Sequence, residues 1–115
     1  MAMIRRDNFT VPQGADWGVR WVLTDPTGKP IDTSGWTVKS QIRRRYNSTE
    51  VLHEWSSSLG NATISDSSVT LSIPHTVSSS WRWSKGVYDV EITDGNGVVT
   101  RLTQGTISIS PEVTK

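Results

Sequence analysis

Short runs in which apolar and polar residues alternate, each ended by turn chemistry, recur along the whole chain. That period of two predicts strands rather than helices. Phe9 and Val11 open a first strand that stops near Pro12-Gln13-Gly14. Trp17, Val19, Trp21 and Leu23 share one face of a second. Asp25-Pro26-Thr27-Gly28-Lys29-Pro30 breaks it, because proline fixes φ and glycine permits a reversal. In a third strand Trp36, Val38, Ser40 and Ile42 face one way. Thr37, Lys39, Gln41 and Arg43 face the other, so this strand is half buried and half wet. A polar connection over 43–50 leads to a fourth strand, Val51 to Trp55. After a Ser/Gly/Asn loop over 56–63, Ile64 starts a short strand before the Asp66-Ser67-Ser68 turn. Val69, Leu71 and Ile73 form the next, ended by Pro74. Residues 75–84 do not alternate and predict a single helical turn.

The C-terminal part reads as one hairpin. Tyr88, Val90 and Ile92 alternate with Asp89, Glu91 and Thr93, and Asp94-Gly95-Asn96-Gly97 tolerates the positive φ that a hairpin turn needs. Along the last strand Leu102 has even parity whereas Ile107 and Ile109 are odd. Either a bulge at Gly105 restores the register or the strand changes face or sheet there. Lys85-Gly86-Val87-Tyr88-Asp89-Val90 sets a tyrosine two residues before an inward position. That is the spacing of the tyrosine corner in Greek-key sandwiches, with an ordinary core tyrosine as the alternative. Val90 then takes the place of an antibody cysteine, and Trp36 that of the packed core tryptophan. The expected fold is all-β, an Ig-like antiparallel β-sandwich of about seven strands. It forms a single domain over 1–115, with 1–8 and 111–115 as candidate extended arms.

Composition narrows the function classes. A chain of 115 residues supports one core. Cysteine is absent, which removes disulfides, thiol catalysis and cysteine-ligated metals. A formal net charge of +1 supplies no global field for nucleic acid or an anionic membrane. No apolar run reaches the roughly 18 residues of a membrane helix. The N-terminal MAMIRRDNF lacks the apolar segment of a signal peptide, so export is not expected. The sequons at Asn8, Asn47 and Asn61 therefore read as loop composition.

Six tryptophans are many for this length. Trp81 and Trp83 flank Arg82 near a loop, a composition typical of interface anchors. The alternatives are a lid over the end of the sandwich and a stacking surface for sugar. Arg43, Arg44 and Arg45, with Arg5 and Arg6, form the basic cluster. It reads as a solvated strand end or as a contact to an acidic neighbouring subunit, and only last as a nucleic-acid site, which needs several converging phosphate contacts. His53 and His75 lie outside any metal-ligand spacing, and no Gly-x-Ser-x-Gly elbow activates a serine. No enzyme activity, cofactor or metal is expected.

Two blocks carry a family resemblance. The first is Ile31-Asp32-Thr33-Ser34-Gly35-Trp36-Thr37-Val38-Lys39-Ser40-Gln41-Ile42-Arg43. The second is Gly86-Val87-Tyr88-Asp89-Val90-Glu91 with Val99-Thr100-Arg101-Leu102, Gly105-Thr106-Ile107 and the ending Ser110-Pro111-Glu112-Val113-Thr114. Together with the Gln13-Gly14-Ala15-Asp16 turn, they resemble a family of small structural proteins of tailed bacteriophages, similar to the N-terminal module of upper baseplate proteins. Thr33-Ser34 departs from the usual Leu-Thr, and 75–84 is unusually rich in tryptophan. The resemblance implies a non-enzymatic virion protein, made in the host cytoplasm and present in multiple copies beside other phage structural proteins. A tail-tip or baseplate adaptor is the first expectation. Capsid decoration is the second, and a carbohydrate- or cell-surface-binding module using Trp81 and Trp83 is the third. With no further domain after the module, contacts are expected to use the sandwich's own faces and loops.

Overall fold

The alternating runs become two packed sheets in the computed structural model, which describes residues 5–114. The strands are β1 (Arg5–Arg6), β2 (Phe9–Pro12), β3 (Trp17–Val22), β4 (Thr37–Arg43), β5 (Val51–Ser56), β6 (Ala62–Ser65), β7 (Ser68–Ile73), β8 (Lys85–Thr93) and β9 (Val99–Ser110). A single helical turn, α1 (His75–Ser78), links β7 to β8. One sheet has the order β1-β9-β8-β4-β5, with β2 also paired to β9, and the other the order β3-β7-β6. This is the G-F-C-C′ sheet over the B-E-D sheet of an Ig-like sandwich. Among the described residues nine strands stand where about seven were expected, since a two-residue strand such as β1 is too short to show a period. The pairing is not wholly antiparallel either. Both β1 and β2 run parallel to β9, because the N-terminal segment returns along the outer edge of the hairpin.

Alternation places Val38, Ile42, Val90, Ile92 and Ile107 on the inner face of the larger sheet, against Trp21, Val69, Leu71 and Ile73 of the smaller. Burying each such side chain contributes about 1.5–3 kcal/mol before the entropic cost of ordering it. Val90 is fully buried at the expected position. The core tryptophan is Trp55 of β5, not Trp36. Trp55 has no exposed surface, and its Nε1 donates to the Ser72 carbonyl at 2.8 Å, tying the two sheets together. Trp36 precedes β4 in a turn closed by its N–H to the Thr33 carbonyl, so its ring is only partly buried.

Two expectations for the hairpin need correction. Glu91 pairs with Arg101 but Val90 with Thr103, so the extra residue of the bulge is Leu102 rather than Gly105. From there Thr103, Gly105 and Ile107 all face inward. Gly105 serves a different need. A Cβ there would sit 2.7 Å from Asn8 Oδ1 and 2.8 Å from the Asp7 carbonyl carbon, so only glycine lets the N-terminal segment lie against β9. Tyr88, opposite Gly105, donates its hydroxyl to the Asp7 carbonyl at 2.7 Å. The partner lies 81 residues back in sequence, not a few residues upstream as in a tyrosine corner.

Parts of both terminal segments are bonded to the sandwich. Arg5 and Arg6 belong to β1, and the Asp7 N–H reaches the Gln104 carbonyl at 3.1 Å. The Glu112 N–H donates to Gln13 Oε1 at 3.1 Å. Residues 1–4 and 115 lie outside the described residues.

Candidate interaction surfaces

Pro74 ends β7 and starts α1, whose Ser78 is fully buried and accepts from the Gly14 N–H at 2.9 Å. Gln13 Nε2 donates to the Trp81 carbonyl at 3.1 Å. These bonds fold 75–84 over the end of the sandwich. Trp81 packs at a tilt on Trp83 with centroids 4.8 Å apart, and His53 packs edge-on against both Trp81 at 5.3 Å and Trp55 at 4.7 Å. Trp83 is only 8% exposed. The pair is therefore a lid, and Trp83 is neither an exposed interface anchor nor half of a sugar platform. Arg82 alone of the three is exposed. Burial holds the His53 imidazole below its ordinary pKa against the opposing pull of Glu54, so it sits neutral among the rings.

The arginines separate into two groups. Arg43 is held in place: one guanidinium nitrogen donates to the Ser48 carbonyl at 2.5 Å and another to Gln41 Oε1 at 2.8 Å. Arg44 pairs with Glu50 at 3.0 Å in water, and Arg45 is exposed. Arg5 bonds Asp7 at 3.4 Å, whereas Arg6 is exposed on the outer face of the larger sheet.

That outer face forms an open trough of about 700 Å³ that brings Arg6 and Arg43 together. The register explains its lining. Gln41 pairs with Asp89, Asp89 with Gln104, and Gln104 with Arg6, which makes one row across four strands. Glu91 beside Arg101 makes the next row, and Arg43 beside Val87 another. Arg101 approaches Asp89 at 3.6 Å and donates to Gln104 at 3.1 Å. Tyr46, 89% exposed, stands on the rim. Such exposed ion pairs contribute little to stability, so charge here mainly selects what can approach. The wet faces of β4 and β8 are readable as alternation, but the alignment of Arg6, Arg101 and Tyr46 with them depends on pairing across the sheet. Arg44, Arg45 and Arg5 do not line this trough.

Asp7 was not singled out from the sequence, and it joins four strands. Its carboxylate accepts from Thr103 Oγ1 at 2.7 Å and from Trp21 Nε1 at 3.2 Å, while its carbonyl accepts from Tyr88. Burial pushes the carboxyl up, but the bonds from Thr103, Arg5 and Trp21 outweigh it, so its pKa lies below the ordinary 3.8. Burial pushes the Tyr88 hydroxyl well above its ordinary 10.0, which keeps it a donor. The only sequence cue was an acidic residue two positions before Phe9.

Among the described residues no group of three or more His, Asp or Glu is placed to hold a metal ion, and no helix is long and apolar enough to cross a membrane. The chain is an Ig-like β-sandwich with one sheet face left open and lined by polar and charged groups. No family model matches it, and no curated protein does.

Proposed function

We propose that this chain is a non-enzymatic structural subunit of a tailed-phage virion, acting as an adaptor at the tail tip or baseplate. Its partners are then other phage structural proteins, and its location is the particle. The observation that carries this reading is the open trough, where Arg43 is fixed by Gln41 and Ser48 and Tyr46 projects beside it. Pre-ordered arginine next to an exposed aromatic ring loses little entropy on docking a protein surface. The two blocks that resemble phage proteins supply β4, β8 and β9, the strands that build this face.

The test is quantitative peptide mass spectrometry of purified particles, with this chain measured against the major capsid protein. A few copies per particle support the tail-tip reading. A ratio near one per capsid subunit supports capsid decoration in its place, and absence from the particle removes both.

A further inference from the structure

The strand register sorts charge along the strand direction of the larger sheet. Thr37 faces Thr93 at one end of the larger sheet and Arg43 faces Val87 towards the other. Around the first end the connecting loops carry Asp25, Asp32, Asp66 and Asp94 against Lys29. Around the second, the 44–50 loop, the lid and the start of β8 carry Arg44, Arg45, Arg82 and Lys85. There the acids are Asp16, Glu50 and Glu112; Asp16 bonds His75 at 2.9 Å and Glu50 bonds Arg44.

Turn chemistry accounts for part of the acidic end. Asp25, Asp32 and Asp94 accept backbone N–H bonds within their own turns. It does not account for Asp66, which makes no such bond, or for the arginines at the far end. The exposed apolar residues divide the same way. Val22, Val98 and Val99 lie at the acidic end, and Tyr46, Val51 and Val113 at the basic one. Each end thus sets apolar surface beside a mixed charge whose balance is negative at the first end and positive at the second.

We propose that the acidic end of one copy docks on the basic end of the next, so that copies associate head to tail. The inference rests on the reading of this chain as an assembly subunit and names one of its partners as a second copy of itself. A head-to-tail contact is heterologous, so it closes into a ring or extends as a filament, unlike a two-fold dimer. Asp25 and Asp32 are held below their ordinary pKa by the hydrogen bonds they accept, from Thr27 and Ser34 first, so the acidic end keeps its charge at neutral pH.

Sedimentation velocity of the full chain across a concentration series tests this. At about 0.01 M salt, where screening reaches about 30 Å, the weight-average mass should climb with concentration above the 12.8 kDa monomer. At about 1 M salt, with screening near 3 Å, it should fall back. Arg45→Glu with Arg82→Glu should abolish the rise. So should Asp32→Asn with Asp66→Asn and Val98→Lys, which keep the turn bonds. Mixing the two variants restores one native contact and should restore association. Circular dichroism melting confirms that each variant folds. A wild type that stays monomeric at low salt overturns the proposal, as does association that survives either variant. Particle composition is measured separately, so a monomeric chain found in virions removes only this inference, and an associating chain missing from virions removes only the functional reading.

Discussion

Replacing Asp7 by alanine removes the carboxylate that ties the β1–β2 segment to Thr103 of β9 and to Trp21 of β3 in the other sheet. Trp21 Nε1 and Thr103 Oγ1 lose their acceptor, and both belong to buried residues, 4% and 0% exposed. Hydrogen bonds to a charged group contribute roughly 1.5–3 kcal/mol each, and an orphaned buried donor keeps its desolvation cost. The Asp7 side chain is 23% exposed, so water reaches part of the vacated site and the sum is discounted. The expected loss is about 3 kcal/mol, a large share of the 5–15 kcal/mol typical of a domain. Urea unfolding followed by tryptophan fluorescence measures it, with the m-value checked for constancy. Tm should fall by on the order of 10–20 °C. Asp7→Asn retains an oxygen acceptor and should lose about half as much. In a double-mutant cycle with Thr103→Val the two losses should be less than additive, because they share one bond. A loss below about 1 kcal/mol for Asp7→Ala, or strict additivity with Thr103→Val, would refute the clamp.

Three further outcomes are expected. His53 is held below its ordinary 6.5, so the unfolded chain binds a proton there before the folded one does. Stability should therefore drop as pH falls from about 7.5 to 5, and His53→Phe, which keeps the ring packing, should flatten that slope in pH-dependent melts. Gly105→Ala drives a Cβ into the Asp7 backbone and should cost about 2–3 kcal/mol by urea unfolding, with faster hydrogen exchange at the Asp7 amide. Asn61 accepts from the Ser56 N–H at 3.0 Å and donates to the Glu54 carbonyl at 2.9 Å, standing in for a neighbouring strand at the edge of β5. Asn61→Ala should cost about 1–2 kcal/mol in the same assay, and no measurable change would mean that water substitutes for both bonds.

The strands themselves were legible because each face alternates over enough residues to show a period. Val38, Ser40 and Ile42 on one side of β4 and Gln41 and Arg43 on the other lie as their alternation predicts. Three features stayed hidden for a common reason: they depend on which strand lies beside which. The even parity of Leu102 left a bulge and a change of face both open, and only pairing with β8 shows a bulge and places its extra residue at Leu102 itself. Tyr88 is spaced as in a tyrosine corner, yet its acceptor is supplied by a segment 81 residues away. Trp55 outranks Trp36 in the core because β4 begins one residue after Trp36, while Trp55 faces Ser40 in mid-sheet. The trough is hidden in the same sense, since its rows are cross-strand alignments of residues distant in sequence.

The residues of the two sequence blocks, 31–43 and 86–114, concentrate where strands must fit one another. A Cβ on Gly86 would lie 2.8 Å from Ile42 Cγ2 and 2.9 Å from the Arg43 carbonyl. Gly105 clears the path of the N-terminal segment, and Glu112 bonds back to Gln13 beside Gly14. Substitution at Gly86 or Gly105 strains the sheet whatever the protein contacts. Arg45, Tyr46, Arg82, Val98 and Val113 lie outside those constraints on exposed loops or the C-terminal segment, where a change costs the fold little. A sandwich of this kind can thus keep one scaffold while its ends and its trough diverge to fit different neighbours. Partner choice in this chain should accordingly track charge and apolar surface at the two ends and in the trough. Scaffold substitutions such as Gly105→Ala should instead alter stability and association together.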